Sequence, residues 1–275
     1  ESLDEISTAF TDVAGGRDDE SLDMGCAYGV ATLAALDKGA RVFACDIEPQ
    51  HLDILARRVP AAVRDRFRCR PGALPDVDFD AGSFGANLAA RVLHFLAGDA
   101  VEQTVAKMHD WLKPGGSLFL VVDSPYTGPW KDQADIYERR KAAGESWPGY
   151  VADYARYLPT TADPAEHPTF INPMDPDILR RVCEQAGLEV GEARFVAGSP
   201  RRSSDRDHAG GVARRRDACS PAAQGASAPP PGRPPDDAAR ARQRPRPCRG
   251  RRAACPPHAP APRGAGSTRP CPSPV

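Results

Sequence analysis

From Pro200 to Val275 the chain has no lysine, glutamate, leucine, isoleucine, methionine or aromatic residue, and only two valines. Sixteen arginines and five aspartates carry the charge of that segment. A stretch so poor in apolar side chains cannot bury enough surface to offset the entropy of ordering it, which predicts a disordered tail. No part of the chain offers the roughly 20 consecutive apolar residues that a membrane-spanning helix requires. No leader pattern is visible, and the chain begins at Glu1 without methionine, so its natural start is expected further upstream. None of the eight cysteines forms a Cys-x-x-Cys pair, which argues against a zinc-type site.

The other part of the chain, residues 1–199, has a normal supply of Val, Leu, Ile and Phe, enough to bury a core. It holds 20 basic and 32 acidic residues, a formal charge of about −12, against about +11 for the tail. The overall charge of −1 is a cancellation. The acidic body argues against nucleic acid as its substrate, whereas the arginine-rich tail suits nucleic acid or another acidic partner. Cys26, Cys45, Cys69 and Cys183 fall in or near expected core elements, as buried thiols do in a reduced, cytoplasmic protein.

The body alternates strand and helix signals. Ile6, Phe10 and Val13 have helical spacing, and the helix they imply is expected near a ligand mouth. Glu20–Met24 reads as a strand, Val30–Leu36 as a helix stopped by Gly39, and Arg41–Cys45 as a second strand closing on Asp46. Pro49 opens a helix that Pro60 ends. Arg66–Arg70 and Phe84–Ala89 read as the third and fourth strands, with a helix expected after the fourth. Val101–Leu112 is amphipathic, and Pro114-Gly115-Gly116 turns the chain into a fifth strand. Asp175–Gly187 has acids in its first turn and glycine at its end, as a helix does, and Leu188–Val196 comes next as a strand. The pattern predicts an α/β fold with a mostly parallel, doubly wound sheet.

The organising stretch is Ser21–Asp46. Its loop reads Asp23-x-Gly25-x-Ala27-x-Gly29, and small residues at alternate positions leave the backbone open to a ligand. In open parallel sheets ligands bind outside the carboxyl ends of the strands. A carboxylate at the end of the second strand can accept both hydroxyls of a ribose. An acid at the head of the loop suits a cation; dinucleotide loops, with glycines facing a pyrophosphate, have a different spacing. S-adenosylmethionine, with its ammonium, sulfonium and ribose, fits that description.

The stretch resembles the first motif of the class I S-adenosylmethionine-dependent methyltransferases. Later segments agree: Arg70–Pro75 resembles the turn that flanks the adenine, Ser83–Leu96 the fourth strand and the helix after it, and Trp111–Val122 the helix end, turn and fifth strand. The similarity runs from about Ala9 to Phe195. Ala27 replaces the middle glycine of the first motif, Gly72 an acid, and Gly85 an aspartate. The resemblance implies a Rossmann-like sheet that binds S-adenosylmethionine. It gives Asp23, Gly25, Cys26, Ala27, Tyr28 and Gly29 to the loop and the methionine end, Asp46 to the ribose, and Ile47, Ala73 and Leu74 to the adenine. Ala90 and Arg91 would stand where the methyl is transferred. Arg91 either orients a substrate or pairs with an acid. His94 reads as a structural histidine, His167 is a weak candidate base, and no general base is identifiable.

Residues 123–173 carry five of the six tyrosines and two of the three tryptophans. An insert here commonly shapes a substrate pocket, so a small-molecule acceptor is expected, although the same aromatics would also pack the insert onto the body. An NAD-type oxidoreductase and a catalytically impaired nucleoside-binding module are the alternatives. The expected division is a methyltransferase-like domain over 1–198 and a tail over 199–275. The family's sheet ends in an antiparallel strand inserted beside the fifth, and none is visible after Gly198, so this strand is expected to be missing. Three accounts fit the tail: a natural acid-binding arm, a metal site on Cys248, Cys255, His258 and Cys271, or an out-of-frame reading of GC-rich coding DNA. The abrupt loss of Lys, Glu, Leu and Ile favours the third.

Overall fold

The structure, a computed structural model, describes residues 3–157, 169–198 and 204–217. Contacts separate a compact unit, Glu1–Ala222, from a second, Ala223–Val275, which lies wholly outside the described residues. His167, the tail cysteines and the expected disorder of 218–275 also fall outside them.

Among the described residues one sheet holds seven strands in the order β3-β2-β1-β4-β5-β7-β6. The strands are β1 Glu20–Met24, β2 Arg41–Asp46, β3 Phe67–Pro71, β4 Phe84–Ala90, β5 Leu112–Asp123, β6 Glu189–Val196 and β7 His208–Arg214. The first five run parallel, and β7 runs antiparallel between β5 and β6. This is the Rossmann-like, mostly parallel sheet that the pattern implied.

Alternation along the strands divides the core into two layers. Leu118, Leu120 and Val122 of β5 join Leu22 and Met24 of β1 against α4 (Gly98–Trp111) and α6 (Pro176–Gln185). Phe119 and Val121 join Val42, Ala44 and Leu88 on the other face, against α1 (Glu5–Gly15), α2 (Val30–Asp37) and α3 (Pro49–Arg58). The helices start where side-chain caps direct them. Asp4, Glu48 and Asp175 accept N–H groups of the first turns of α1, α3 and α6, and proline occupies an early position in α3 and α6.

The expectation of a missing last strand is corrected. Residues 208–214 pair with β5 from Asp123↔His208 to Ser117↔Arg214 and with β6 on their other side. The sequence HAGGVAR gives little strand signal because its small residues serve close packing. A Cβ on Gly210 would lie 2.6 Å from Cγ1 of Ile6 in α1. Two neighbouring strands supply the hydrogen bonds that hold it extended, so tertiary context decides where propensity does not. The sheet therefore continues past the boundary expected at 198. Two smaller departures lie between β4 and β5. The expected helix at His94 is a single 3-10 turn, Leu93–Phe95, and β5 begins at Leu112, with a register shift between Phe84 and Ala86.

The insert after β5 contributes α5 (Ala134–Ala142). Trp130 and Tyr137 are buried, and Trp130 Nε1 donates to the Ser124 carbonyl at 2.9 Å. Lys141 pairs with Asp175 and Asp177, tying α5 to the start of α6. Trp130, Tyr137, Trp147 and Tyr150 also line a cavity of about 1070 Å³.

Candidate functional site

The carboxyl ends of β1, β2, β4 and β5 and the first residue of antiparallel β7 meet along one edge of the sheet. A cavity of about 560 Å³ opens there. Asp23, Gly25, Cys26, Ala27, Tyr28, Ala90 and Arg91 line it, together with Asp4 and Ser7 of α1, His94, Asp123 and His208.

The loop after β1 is held by its neighbour strand. Gly25 and Cys26 donate backbone N–H bonds to the Cys45 carbonyl at 2.7 and 3.1 Å, and Ala27 N–H donates to Asp46 Oδ2 at 2.7 Å. The path needs left-handed backbone: φ is 71° at Gly25, 45° at Ala27 and 76° at Gly29. A Cβ on Gly25 would stand 2.1 Å from Cγ2 of Val92, and one on Gly29 would stand 2.2 Å from Cδ1 of Leu55. A side chain is thus excluded at Gly25 and Gly29 by both conformation and space. Gly29 forms the cap of α2.

Two carboxylates flank the loop. Asp23 is buried and accepts the Thr32 hydroxyl at 2.6 Å. Burial pushes its carboxyl up to about 6, the Thr32 bond opposes this, and the Asp46 charge adds to the rise. Asp46 accepts Ala27 N–H on Oδ2 and Glu48 N–H on Oδ1 at 2.9 Å, with His51 Nδ1 3.1 Å from Oδ1. A carboxylate has about four lone-pair sites, so Asp46 keeps capacity for a hydroxyl. Ile47 beside it is 72% exposed. Ala73 and Leu74 come after β3, outside the lining of this cavity, and Leu74 packs toward the core. Gly72 N–H donates to the Asp46 carbonyl at 2.9 Å, which brings that turn beside Asp46. Cys26 lines the cavity with its thiol pushed up by burial, so it fills space there.

A second group sits where β4, β5 and β7 end. Arg91 has φ 60°, a strained conformation for a non-glycine residue, and its Nε lies 3.8 Å from Asp123 Oδ1. His94 is buried; its Nδ1 accepts the Asp123 N–H at 3.1 Å, and its Nε2 lies 3.8 Å from Asp123 Oδ2. Burial drives the His94 imidazole down to about 4, although Asp123 pulls the other way. His208 Nδ1 lies 3.1 Å from Asp123 Oδ1, but the ring is turned off the line of a hydrogen bond, and neither atom has such a bond. Burial alone would raise the Asp123 carboxyl; the contacts with His208, His94 and Arg91 outweigh it and hold it below the usual range. Sequence reading missed Asp123 and His208 and set His94 aside. Asp123, an acid at a strand's carboxyl end, carried a usable signal; His208, inside an arginine-rich stretch, carried none. Among the described residues no group of three or more His, Cys, Asp or Glu is arranged to hold a metal ion.

Residues 22–120 match a family model described as a methyltransferase domain. The curated cypemycin N-terminal methyltransferase of a Streptomyces species is 35% identical over 111 residues, covering 38% of this chain and 42% of that protein. The chain thus matches less than half the length of that relative. Among solved structures, an S-adenosylmethionine-dependent methyltransferase from Methanosarcina mazei superposes with a TM-score of 0.58 at 18% identity, covering 79% of this chain and 100% of that one. The 1,6-didemethyltoxoflavin-N1-methyltransferase of Burkholderia thailandensis, solved with bound 1,6-didemethyltoxoflavin and S-adenosylhomocysteine, gives a TM-score of 0.52 at 19% identity over 78% of this chain and 80% of that one. Loop, strand order and family match agree: residues 22–120 match the methyltransferase-domain family, and the sheet around them has the fold of S-adenosylmethionine-dependent methyltransferases.

Proposed function

We propose that this chain binds S-adenosylmethionine in the cavity at the edge of the sheet and transfers its methyl group to a small-molecule acceptor. The observation that carries the reading is the pair of acids, Asp23 and Asp46, on either side of a loop whose two glycines admit no side chain. The donor set suits a cationic nucleoside: carboxylates and carbonyls for an ammonium and a sulfonium, and an acid with a spare lone pair for a ribose hydroxyl. Gly25, Cys26, Ala27, Tyr28 and Gly29 would hold the methionine end, and Asp46 the ribose. The exposed apolar face of Ile47 suits the adenine, with Ala73 and Leu74 on the adjoining turn.

When bound, the cofactor supplies an electrophilic methyl group on a positively charged sulfur. The chain supplies position. Held in place by β1 and β2, the loop fixes one reactant, while Ala90, Arg91 and Phe95 line the side where an acceptor would approach. Holding two reactants in line is the main source of acceleration in such a transfer. The Burkholderia neighbour's name places the methyl at an N1 position, and the curated relative's name places it at an N-terminus. Those names support a heteroatom acceptor here.

The test is calorimetry with S-adenosylhomocysteine and with NAD, then transfer of labelled methyl to a panel of small amines, phenols and heterocycles. Binding of S-adenosylhomocysteine with transfer supports the reading. Preference for NAD would replace it with an oxidoreductase, and binding without transfer to any acceptor would leave a binding module.

A further inference from the structure

The proposed transfer uses the loop and the two acids beside it, yet the same cavity holds a second set of ionisable groups. Asp123 is the last residue of β5 and His208 the first of β7, and the two stand opposite each other in register. Both line the cavity that Asp23, Gly25 and Ala27 line, on the side of Ala90 and Arg91. The antiparallel direction of β7 is what delivers His208 to this edge, because its amino end lies among the carboxyl ends of the parallel strands.

We propose that His208, backed by Asp123, is the general base that takes the proton of the methyl acceptor, which is therefore a protic nitrogen or oxygen nucleophile. The proposal rests on the methyltransferase reading above. Several observations select this histidine. His208 Nδ1 lies 3.1 Å from Asp123 Oδ1, close enough for a hydrogen bond once the ring rotates onto its line, and Nε2 lies on the far side of the rigid ring. His94 is the other imidazole in the cavity, and it is committed: its Nδ1 accepts a backbone N–H, and it is fully enclosed. Burial keeps His94 neutral and a poor proton acceptor. Asp123 stays ionised beside the Arg91 guanidinium, ready to stabilise an imidazolium on His208. This is the orienting role that a carboxylate takes behind a catalytic histidine.

The groups that face this pair come from several elements. Arg91 approaches Asp123 from the end of β4, and His94 from the 3-10 turn. Asp4 of α1 lines the same cavity. Tyr154 of the insert senses the Asp123 charge; burial first and that charge second push its phenol up, so it stays protonated. Asp207, next to His208, is taken up by the Ser204 hydroxyl at 2.9 Å.

In the step, the acceptor's lone pair forms the new bond to the methyl carbon. The bond from that carbon to sulfur breaks, and its electron pair stays on sulfur as a neutral thioether. The proton lost by the acceptor passes to His208 Nε2, and the imidazolium rests against Asp123 until solvent removes the proton. Charge balances: one cation enters as cofactor, and one proton leaves.

Three measurements on the full chain test this. First, calorimetry with S-adenosylhomocysteine on wild type, His208→Gln and Asp123→Asn asks whether the cofactor site is intact. Second, diethyl pyrocarbonate labelling of the S-adenosylhomocysteine complex, mapped by mass spectrometry, asks which imidazole is accessible. Third, transfer of labelled methyl to benzylamine and to phenol is monitored between pH 5 and 9. The expected result is unchanged binding in all three proteins, with carbethoxylation of His208 and not His94. Transfer by wild type should rise to a plateau with pH, and His208→Gln should lower it by about 10²- to 10⁴-fold and abolish the plateau. Asp123→Asn should lower transfer and move the rise to the plateau to lower pH, because the imidazolium loses the charge that stabilises it. An unreactive His208, an unchanged rate and profile in His208→Gln, or transfer to neither probe by wild type that binds S-adenosylhomocysteine overturns the proposal alone. Failure of folded wild type to bind S-adenosylhomocysteine overturns the methyltransferase reading as well.

Discussion

Ala27 N–H donates to Asp46 Oδ2 at 2.7 Å, a bond between residues nineteen apart that fastens the loop after β1 to the end of β2. Asp46 is therefore part of the loop's scaffold. Asp46→Ala removes the acceptor for both the Ala27 and Glu48 N–H groups and should cost about 3 kcal/mol. Asp46→Asn retains one acceptor oxygen and should cost about 1 kcal/mol. Urea unfolding checks both. Equal stability of the two variants would show that the bond contributes nothing.

Ala27 sits at φ 45°, where a Cβ is strained, and it stands at the place of the family's middle glycine. Ala27→Gly should stabilise the chain by up to about 1 kcal/mol, the relief of the left-handed conformation less glycine's own entropy cost. Gly25→Ala should act in the opposite sense, because its new Cβ meets Val92 at 2.1 Å and its φ is already 71°. Thermal melts and S-adenosylhomocysteine titrations of the two variants should move in opposite directions.

These loop residues were legible in the sequence because everything they need is local. Glycine at a left-handed turn, an acid at a strand end and helical spacing after Val30 are short-range signals. β7 was not legible, because Gly210 at its centre makes room for Ile6 and adds nothing to strand propensity. His94, Asp123 and His208 share one corner of the cavity only because three chain segments converge there, and no spacing in the sequence records that.

Two buried groups give the fold opposite responses to pH. Asp23 has an ordinary value of 3.8 and is raised to about 6 when folded. Its proton is held more tightly by the folded chain, so its contribution is full below 3.8 and is lost as pH rises through 6. Above that Asp23 costs about 3 kcal/mol at ~1.4 kcal/mol per unit, and Asp23→Asn should recover much of this at pH 7.5 and little at pH 4. His94 is depressed from 6.5 to about 4. Its contribution is present above 6.5 and is lost as pH falls through 4, a loss of about 3 kcal/mol that His94→Gln should flatten. Urea midpoints between pH 4 and 8 test both slopes. Parallel shifts in the two variants would contradict the assignment.

The position of β7 sets where the fold can end. Among the described residues β6 pairs with β7 and with no other strand, and β7 also covers the β5 edge. A chain ending at Gly198 should expose that edge and aggregate or lose its cooperative melt. A chain ending at Ala222 should keep the melting temperature and the S-adenosylhomocysteine affinity of the full chain. Gel filtration and thermal melts distinguish the two, and a stable, monomeric 1–198 would refute a structural role for β7.

The most direct measurement is titration of S-adenosylhomocysteine into the full chain, into Asp46→Asn and, for comparison, with NAD in its place. The expected result is one-to-one binding by wild type, at least tenfold weaker binding by Asp46→Asn that remains folded, and no heat from NAD. Unchanged affinity in the variant, or no binding by folded wild type, would contradict the assignment of the acid-flanked loop as a cofactor site.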